Sequence, residues 1–313
     1  ALNMTNLASA PAYGRPGVLL TGATGFLGGY LLKELVERTE MPIYCLTRSD
    51  GTLGARARLM DNLHFLFGAG AEMANELGIK TEAAHWNKLK SQLPDFDLDN
   101  EGSLTFAKGF PYNASHRHFS HALAIHPLGI IDWSDGEKAQ RIIRATLKKM
   151  NDYGPDYWTG YTYSWFANMQ ARAFNGEEAA KALRTFAECF CLKNTFHANG
   201  DQSASGKSKF TYRPFTLEGN FAFAAGIHEM LLQSHTGVIR VFPAVPESWK
   251  NVSFNNLRAM GGFLVSAALK DGKVVRLEIY AEKGGRLAVF SPFEHKVVEY
   301  DTQPGSRIDL AVE

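Results

Sequence analysis

A glycine-rich turn near the start of the chain constrains its fold more than any other feature. A short apolar run at residues 17–20 leads into three evenly spaced glycines, Gly22, Gly25 and Gly28. An amphipathic segment at residues 26–37 follows, and a second apolar segment at residues 42–47 ends at Arg48. This order of strand, glycine turn, helix and strand is typical of a parallel α/β unit whose backbone can approach a phosphate group at the helix N-terminus.

Only one such unit precedes a change of pattern. A doubly wound sheet needs several of them, yet from about His64 the apolar positions take up helical spacing. The sequence therefore predicts a truncated Rossmann-like α/β unit over residues 17–63, after a flexible lead-in at residues 1–16. Arg48 at the end of the second strand suits a 2′-phosphate, which favours NADP over NAD. The predicted cofactor-binding residues are Gly22, Gly25, Gly28 and Arg48, and we expect NADP binding to be weak because the nicotinamide half of the sheet is missing.

The rest of the chain divides by its apolar period into a helical part and a β part. The predicted helices cover residues 64–80, 82–92, 117–125, 136–152, 161–175, 177–192 and 219–235. The predicted strands cover residues 238–242, 263–269, 274–281, 286–291 and 297–300. Residues 95–115 are expected to be irregular. We therefore expect a mixed multi-domain chain with a helical domain at residues 64–237 and an antiparallel β-sandwich at residues 238–313.

Composition excludes some classes of partner. The 313 residues contain 33 Lys and Arg against 32 Asp and Glu, so nothing favours nucleic acid or an anionic membrane. No apolar run of about 18 residues predicts a membrane span. Residues 1–16 lack the basic start and apolar centre of a signal peptide, so a cytoplasmic location is expected for the chain as it stands. Cys189 and Cys191 lack the spacing of a metal site and are expected to be structural thiols.

Two segments carry residue types with possible chemistry. In the segment His116–His121, His118 and His121 are three residues apart and would share one face of a helix. A lining role in a ligand cleft, a structural role and metal binding all remain open, although zinc would need further ligands that the spacing does not provide. Glu218 precedes a predicted helix, where a carboxylate either caps backbone N–H groups or acts as a general base.

The α/β unit resembles a known family in its sequence motifs. Residues 17–63 resemble the start of the thioester-reductase domains of nonribosomal peptide synthetases and carboxylic acid reductases, which are extended short-chain dehydrogenases. The matching stretches are LLTGATGFLG at residues 19–28 and YCLTR at residues 44–48. That family transfers a proton through a Tyr-x-x-x-Lys pair, and Tyr280 with Lys283 has the wrong spacing. An NADP-dependent thioester or aldehyde reductase fragment is therefore the weaker alternative.

The larger part of the chain resembles glycoside hydrolase family 95, which contains α-L-fucosidases and α-L-galactosidases. The pattern His-Arg-His-x-Ser-His with a following proline is present as His116, Arg117, His118, Ser120, His121 and Pro127. A second pattern is present as Thr159, Gly160, Trp165, Asn168, Ala171 and Arg172, with Tyr161 where the family has Trp. Further matches are Gly219–Phe221, Gly226, Ile227, Glu229–His235, FPAVP at residues 242–246 and RAMGGF at residues 258–263.

This resemblance implies half of an (α/α)6 helical toroid followed by a β-sandwich. It also implies inverting hydrolysis of terminal α-L-fucosides or α-L-galactosides without a cofactor, with Glu218 as the catalytic base in place of the family's aspartate. The implied substrate-binding residues are His116, Arg117, His118, His121, Trp165 and Asn220. The family's general acid lies upstream, where this chain carries the reductase-like unit, so we expect impaired activity, with a non-catalytic carbohydrate-binding fragment as the alternative. Half a toroid would leave its apolar inner face exposed, which predicts self-association. The glycosidases that the chain resembles are often exported.

Overall fold

The computed structural model describes residues 18–21, 23, 26–46 and 52–310. Gly22, Gly25 and Arg48 lie outside the described residues. The described chain divides into two compact units. The N-terminal unit contains the residues up to Ala114 together with Phe119–Ile131 and Arg141–Asp152, and the C-terminal unit contains Ser115–His118, Asp132–Gln140 and the chain from Tyr153 onward.

The N-terminal unit begins with the predicted strand, helix and strand. Strand β1 (Val18–Thr21) pairs in parallel with β2 (Ile43–Leu46), and helix α1 (Phe26–Arg38) connects them. Arg38 in the last turn of α1 forms an ion pair of 2.7 Å with Glu34, four residues earlier, which suits a cation at a helix C-terminus. The short-range pattern of glycines and apolar residues therefore predicted this element order correctly.

Helix α2 (Thr52–Glu76) begins well before the predicted start at residue 64. The helix runs without a break through Asn62–His64, where the sequence pattern changes. It packs against helix α3 (Lys80–Ser91), and the two share a core that includes Phe67 and Trp86. Gly70 makes this approach possible, because a Cβ atom there would lie 2.8 Å from the Trp86 ring.

Two predictions for residues 95–125 were wrong. The segment expected to be irregular contains a hairpin of β3 (Thr105–Ala107) and β4 (Phe110–Pro111). The helix expected at residues 117–125 is absent, and only a 3-10 turn at Ser120–Ala122 forms. Pro127 disfavours the helical backbone in the residue before it. Gly129 has a positive φ of 62°, which lets the chain turn back. The amides of residues 130 and 131 then donate to the carbonyl of residue 124.

Helix α4 (Glu137–Tyr153) has its first residues in the C-terminal unit and most of its length in the N-terminal unit. The C-terminal unit then contains α5 (Gly160–Arg172), α6 (Gly176–Phe190) and α7 (Glu218–Leu231). Every residue of α5 except Tyr161 is buried, because α6 and α7 both pack against it. Among the described helices, none is both long and apolar enough to cross a bilayer.

Helix α7 ends earlier than predicted, because the chain turns into a sheet at Leu232. Its backbone is extended there, and Leu232 pairs with Val241 and enters an apolar core. The strands that follow are β5 (Leu232–Gln233), β6 (Val238–Val241), β7 (Val252–Ala259), β8 (Phe263–Lys270), β9 (Lys273–Ala281), β10 (Gly285–Ser291), β11 (Lys296–Thr302) and β12 (Arg307–Leu310).

These strands form two four-stranded sheets with the orders β11-β10-β6-β5 and β12-β9-β8-β7. Side chains from both sheets contribute to one hydrophobic core, for example Leu287 from one sheet and Val265 from the other. The five predicted strands are present, but the sequence pattern missed β5, β7 and β12. In β7 a register shift between Phe254 and Leu257 interrupts the alternation of buried and exposed residues, which is the signal for a strand.

Candidate active site

Glu218 is the first residue of α7, and its side chain is exposed. The N-cap position belongs to Leu217, so Glu218 is not the capping residue. A carboxylate in the first turn is favoured by the helix dipole. Within the described ranges, no residue donates a hydrogen bond to this carboxylate. The group is therefore accessible to solvent and to a water nucleophile.

His197, which the sequence analysis did not select, lies beside the N-termini of α5 and α7. Its ring is buried, and Nδ1 lies 2.7 Å from the carbonyl oxygen of Thr216, to which it donates a proton. Burial lowers the pKa of His197 below its ordinary value, although the Thr216 carbonyl and the charge of Glu218 act in the opposite direction. Burial therefore favours the neutral form of the imidazole. Its Nε2 has no hydrogen-bond partner within the part of the chain that the structure describes.

Two glycines make room for this ring. A Cβ atom on Gly160 would lie 2.2 Å from Nε2 of His197, and one on Gly219 would lie 2.3 Å from Nδ1. Both distances are far below any real contact, so His197 requires glycine in the first turn of α5 and in the first turn of α7. The two glycines were visible in the sequence as part of the family patterns, and they were the only signal for the position of the histidine.

Asn220 uses both ends of its amide on the backbone of the segment that carries His197. Its Oδ1 accepts from the N–H of His197 at 2.9 Å, and its Nδ2 donates to the carbonyl of Thr195 at 2.9 Å. Ser164 of α5 also donates to the carbonyl of Gly219 in α7, at 3.2 Å. Asn220 therefore positions residues 195–197 against the start of α7, next to Glu218.

The segment His116–His118 is attached to the start of α5. Thr162 donates its hydroxyl to the carbonyl of Arg117 at 2.8 Å, and Thr162 also accepts from the N–H of Thr159 in a capping arrangement. The ring of His116 accepts at Nδ1 from the N–H of His118 at 3.1 Å. All three residues of the segment are half-buried, so they retain surface that a ligand can contact.

Trp165 and His121 occupy more enclosed positions. The side chain of Trp165 is only 5% exposed, and its ring centre lies 5.9 Å from that of the more accessible Tyr161. His121 belongs to the N-terminal unit, where it is 2% exposed and stacks on Tyr112 at 4.9 Å. Thr162 joins His116–His118 to α5, but His121 lies in the aromatic core of the N-terminal unit.

The predicted nucleotide site is described only at Gly28, a buried residue of α1. The other three predicted positions, Gly22, Gly25 and Arg48, lie outside the described residues. Among the residues that the structure describes, no three His, Cys, Asp or Glu side chains are grouped so that they could hold a metal ion.

Comparison with known families assigns the two parts of the chain separately. The family model described as the glycosyl hydrolase family 95 catalytic domain matches residues 52–231, and that of the family 95 C-terminal domain matches residues 233–309. An NAD-binding family model described as male sterility protein matches residues 20–72. Both catalytic-domain and NAD-binding matches include residues 52–72, which lie in helix α2.

Curated relatives divide in the same way. Alpha-L-fucosidase 2 of Arabidopsis thaliana is 31% identical over 198 residues, which are 62% of this chain and 23% of the relative. Probable alpha-fucosidase A of Aspergillus niger is 24% identical over 203 residues, which are 61% of this chain and 23% of the relative. A linear gramicidin synthase of Brevibacillus parabrevis is 46% identical over 67 residues, which are 20% of this chain and 1% of the relative. The chain thus spans less than a quarter of the length of each relative. The family model of the catalytic domain, however, covers more than half of the chain. The chain therefore belongs to glycosyl hydrolase family 95.

Proposed function

We propose that this chain binds terminal α-L-fucosides or α-L-galactosides at the site around Glu218 and hydrolyses them slowly. The observation that carries the proposal is the exposed carboxylate of Glu218 at the start of α7, with His197 and Asn220 holding the adjacent loop. Two of the relatives are named as fucosidases, which supports the choice of sugar. The helices α4 to α7 would then be part of a helical toroid, and the two sheets would be a β-sandwich beside it.

Glu218 would act as the general base that removes a proton from the attacking water. Inversion needs a second carboxyl group on the other side of the sugar, which protonates the leaving oxygen. The resemblance expects this acid upstream, in a stretch that matches the NAD-binding family. A reaction without it loses roughly 10²–10⁴-fold in rate. The slow rate that we propose follows from this loss.

His197 would be a positioning residue, because its buried ring sets the distance between the first turns of α5 and α7. Asn220 would do the same for residues 195–197. His116, Arg117 and His118 are half-buried beside the start of α5 and would line the sugar site with Tyr161. The ring of Trp165 is almost fully buried, so Trp165 would pack against Tyr161 and hold it in place rather than contact the sugar.

The test compares an aryl α-L-fucoside, which needs little leaving-group protonation, with a natural fucosyl disaccharide. We expect slow release of the aryl group and no measurable cleavage of the disaccharide. Glu218→Gln should abolish the aryl-fucoside activity, whereas Glu188→Gln, an exposed glutamate of α6, should leave it unchanged. An unchanged rate in Glu218→Gln would exclude Glu218 as the base.

Weak nucleotide binding is a second candidate function. The parallel pairing of β1 with β2 around α1 and the NAD-binding match at residues 20–72 support it. We propose that NADP contacts Gly22, Gly25, Gly28 and Arg48 without being oxidised or reduced by the chain. Titration calorimetry should then give a dissociation constant weaker than about 100 μM. A value near 1 μM would show that the site is complete.

A further inference from the structure

A wide groove in the C-terminal unit is lined by none of the residues described around Glu218. Its volume is about 1290 Å³, which exceeds the roughly 300–1,000 Å³ of common small-molecule pockets. Six aromatic side chains line it: Trp133, Phe174, Phe242, Trp249, Phe290 and Phe293. All except Phe242 are only half-buried, so each keeps part of its side chain exposed.

Three residues that line this groove have the left-handed backbone that favours glycine. Their φ angles are 56° at Phe174, 54° at Phe242 and 55° at His295. A side chain in this conformation is disfavoured, strongly so for a bulky residue. Such strain clusters at ligand-binding sites, where the side chain is kept for its contacts.

Phe174 shows this most clearly. It follows the last turn of α5, where the N–H of Asn175 donates to the carbonyl of Gln170 at 2.9 Å and the N–H of Phe174 donates to that of Ala171 at 3.0 Å. This is the helix ending in which the left-handed residue is usually glycine. The chain instead has a phenylalanine whose ring lies 6.3 Å from that of Trp133, on the wall of the groove.

Trp133 is itself held in place. It begins a 3-10 turn that Asp132 caps, with the Asp132 carboxylate accepting from the N–H of Ser134 at 2.9 Å. The same carboxylate lies 2.6 Å from Nε2 of His235. The aromatic wall formed by Trp133 and Phe174 is therefore built on a fixed support.

Positive charge exceeds negative charge along the groove. Arg240, Lys250 and Lys273 line it, against one carboxylate, that of Glu247. Within the described residues, none of the three cations has a carboxylate at ion-pair distance. Arg240 is oriented by a 3.1 Å hydrogen bond to the hydroxyl of Thr236. Such cations suit a ligand that carries carboxylate groups.

We propose that this groove is a second carbohydrate site, which binds an acidic oligosaccharide. The aromatic rings would stack on the apolar faces of the sugar rings, and Arg240, Lys250 and Lys273 would bind the carboxylates. The choice of a sugar as the ligand rests on the proposed function, but binding in the groove needs no turnover at Glu218.

Titration calorimetry on the full chain tests this with three probes: trigalacturonate, neutral galactotriose and a triglutamate peptide. We expect saturable binding of trigalacturonate below about 10 mM, and at least tenfold weaker binding of the other two. The variant Lys250→Gln/Lys273→Gln should remove the preference for the acidic sugar. Absence of trigalacturonate binding, or equal binding of the peptide, would overturn the proposal.

Two variants test whether trigalacturonate binds in the groove, and both replace a strained residue by one that favours the same backbone conformation. Phe174→Gly and His295→Gly relieve the left-handed strain, so the melting temperature should hold or rise while trigalacturonate affinity falls about tenfold. Asn256→Gly is the matched control, since Asn256 has a φ of 55° and lies outside the groove. It should leave affinity unchanged.

Because His295 is exposed, its variant serves as the readout if Phe174→Gly unfolds. Unchanged affinity in His295→Gly and Phe174→Gly would overturn the proposal. Glu218→Gln should bind trigalacturonate as the unmodified chain does. A failure of the Glu218 reaction can therefore be told apart from a failure of the groove.

Discussion

Arg172 on α5 and Glu229 on α7 form a pair of parallel hydrogen bonds, from Nε and Nη2 to the two carboxylate oxygens, each 2.7 Å long. Both side chains are largely buried. Gln233 supports the pair by donating to the carbonyls of Ala171 and Glu229, at 2.9 and 3.0 Å. These residues belong to two of the family patterns, and the structure uses them to join two helices.

Removing one partner of this pair should destabilise the fold strongly. In Glu229→Gln the guanidinium of Arg172 stays buried without its counter-charge, and such changes cost about 3–5 kcal/mol. The double variant Arg172→Met/Glu229→Leu should cost much less, because no charge remains buried. Urea unfolding of both variants measures the difference. A loss below about 1 kcal/mol for the single variant would show that the pair contributes little.

Adding a methyl group at Gly219 should damage the fold and the proposed sugar site together. The new Cβ atom would lie 2.3 Å from the His197 ring, and overpacking of this kind costs about 1–3 kcal/mol. Gly68→Ala is the control, because its nearest neighbour is the mobile end of Lys90 at 3.4 Å. That helical change should stabilise α2 by about 0.5–1 kcal/mol.

A second-site change tests whether His197 is the cause. His197→Ala removes the ring that Gly219→Ala would strike, so the double variant should recover part of the stability lost in Gly219→Ala. Thermal melts of the four proteins give the coupling energy. Strictly additive losses would mean that Gly219 is needed for another reason.

The pair of Asp132 and His235 predicts loss of stability in acid. Burial alone would raise the pKa of Asp132, but hydrogen bonds from His235 and Ser134 outweigh it and lower the pKa to about 2. A carboxylate with a lowered pKa stabilises the fold above its unfolded pKa, and this contribution disappears as pH falls from about 4 through 2. Allowing for solvent screening, we expect about 1–2 kcal/mol.

Urea unfolding between pH 5 and pH 2 measures this loss. Asp132→Asn has no charge to titrate at this position, so its stability should be lower at pH 5 and should fall less steeply in acid. Asp156→Asn, an exposed carboxylate of the same unit, is the control and should keep the slope of the unmodified chain. Parallel curves for Asp132→Asn and the unmodified chain would rule out this contribution.

An exposed apolar patch at the start of α7 predicts self-association. Phe221 is 66% exposed there, and Leu217, which precedes the helix, is 41% exposed. Exposed apolar patches promote contacts between chains, so we expect oligomers in sedimentation velocity at micromolar concentration. Phe221→Ser should shift the chain toward monomer, whereas Met260→Ser, in the turn between β7 and β8 and 64% exposed, should not. A monomer in the unmodified chain would refute the expectation.

Local pattern in the sequence determined the order of elements. The glycine turn, the helical spacing of α5 and α6 and the alternation in β8 to β10 each depend on residues within one turn or one strand of each other. The same local patterns gave wrong predictions where residues far apart in sequence determine the local structure. At β7 a register shift hides the alternation, and at Leu232 the pairing with Val241 ends a helix that the local period would continue.

The sequence by itself also determined which family the chain resembles and that Glu218 begins a helix. Only the tertiary structure decided what the pattern residues do. Arg172 meets Glu229 across 57 residues, and His235 meets Asp132 across 103. Only the structure shows that the ring of His197 packs directly against Gly160 and Gly219. Hydrogen bonding and close packing act between atoms a few ångströms apart, and spacing along the chain does not encode which distant residues reach that separation.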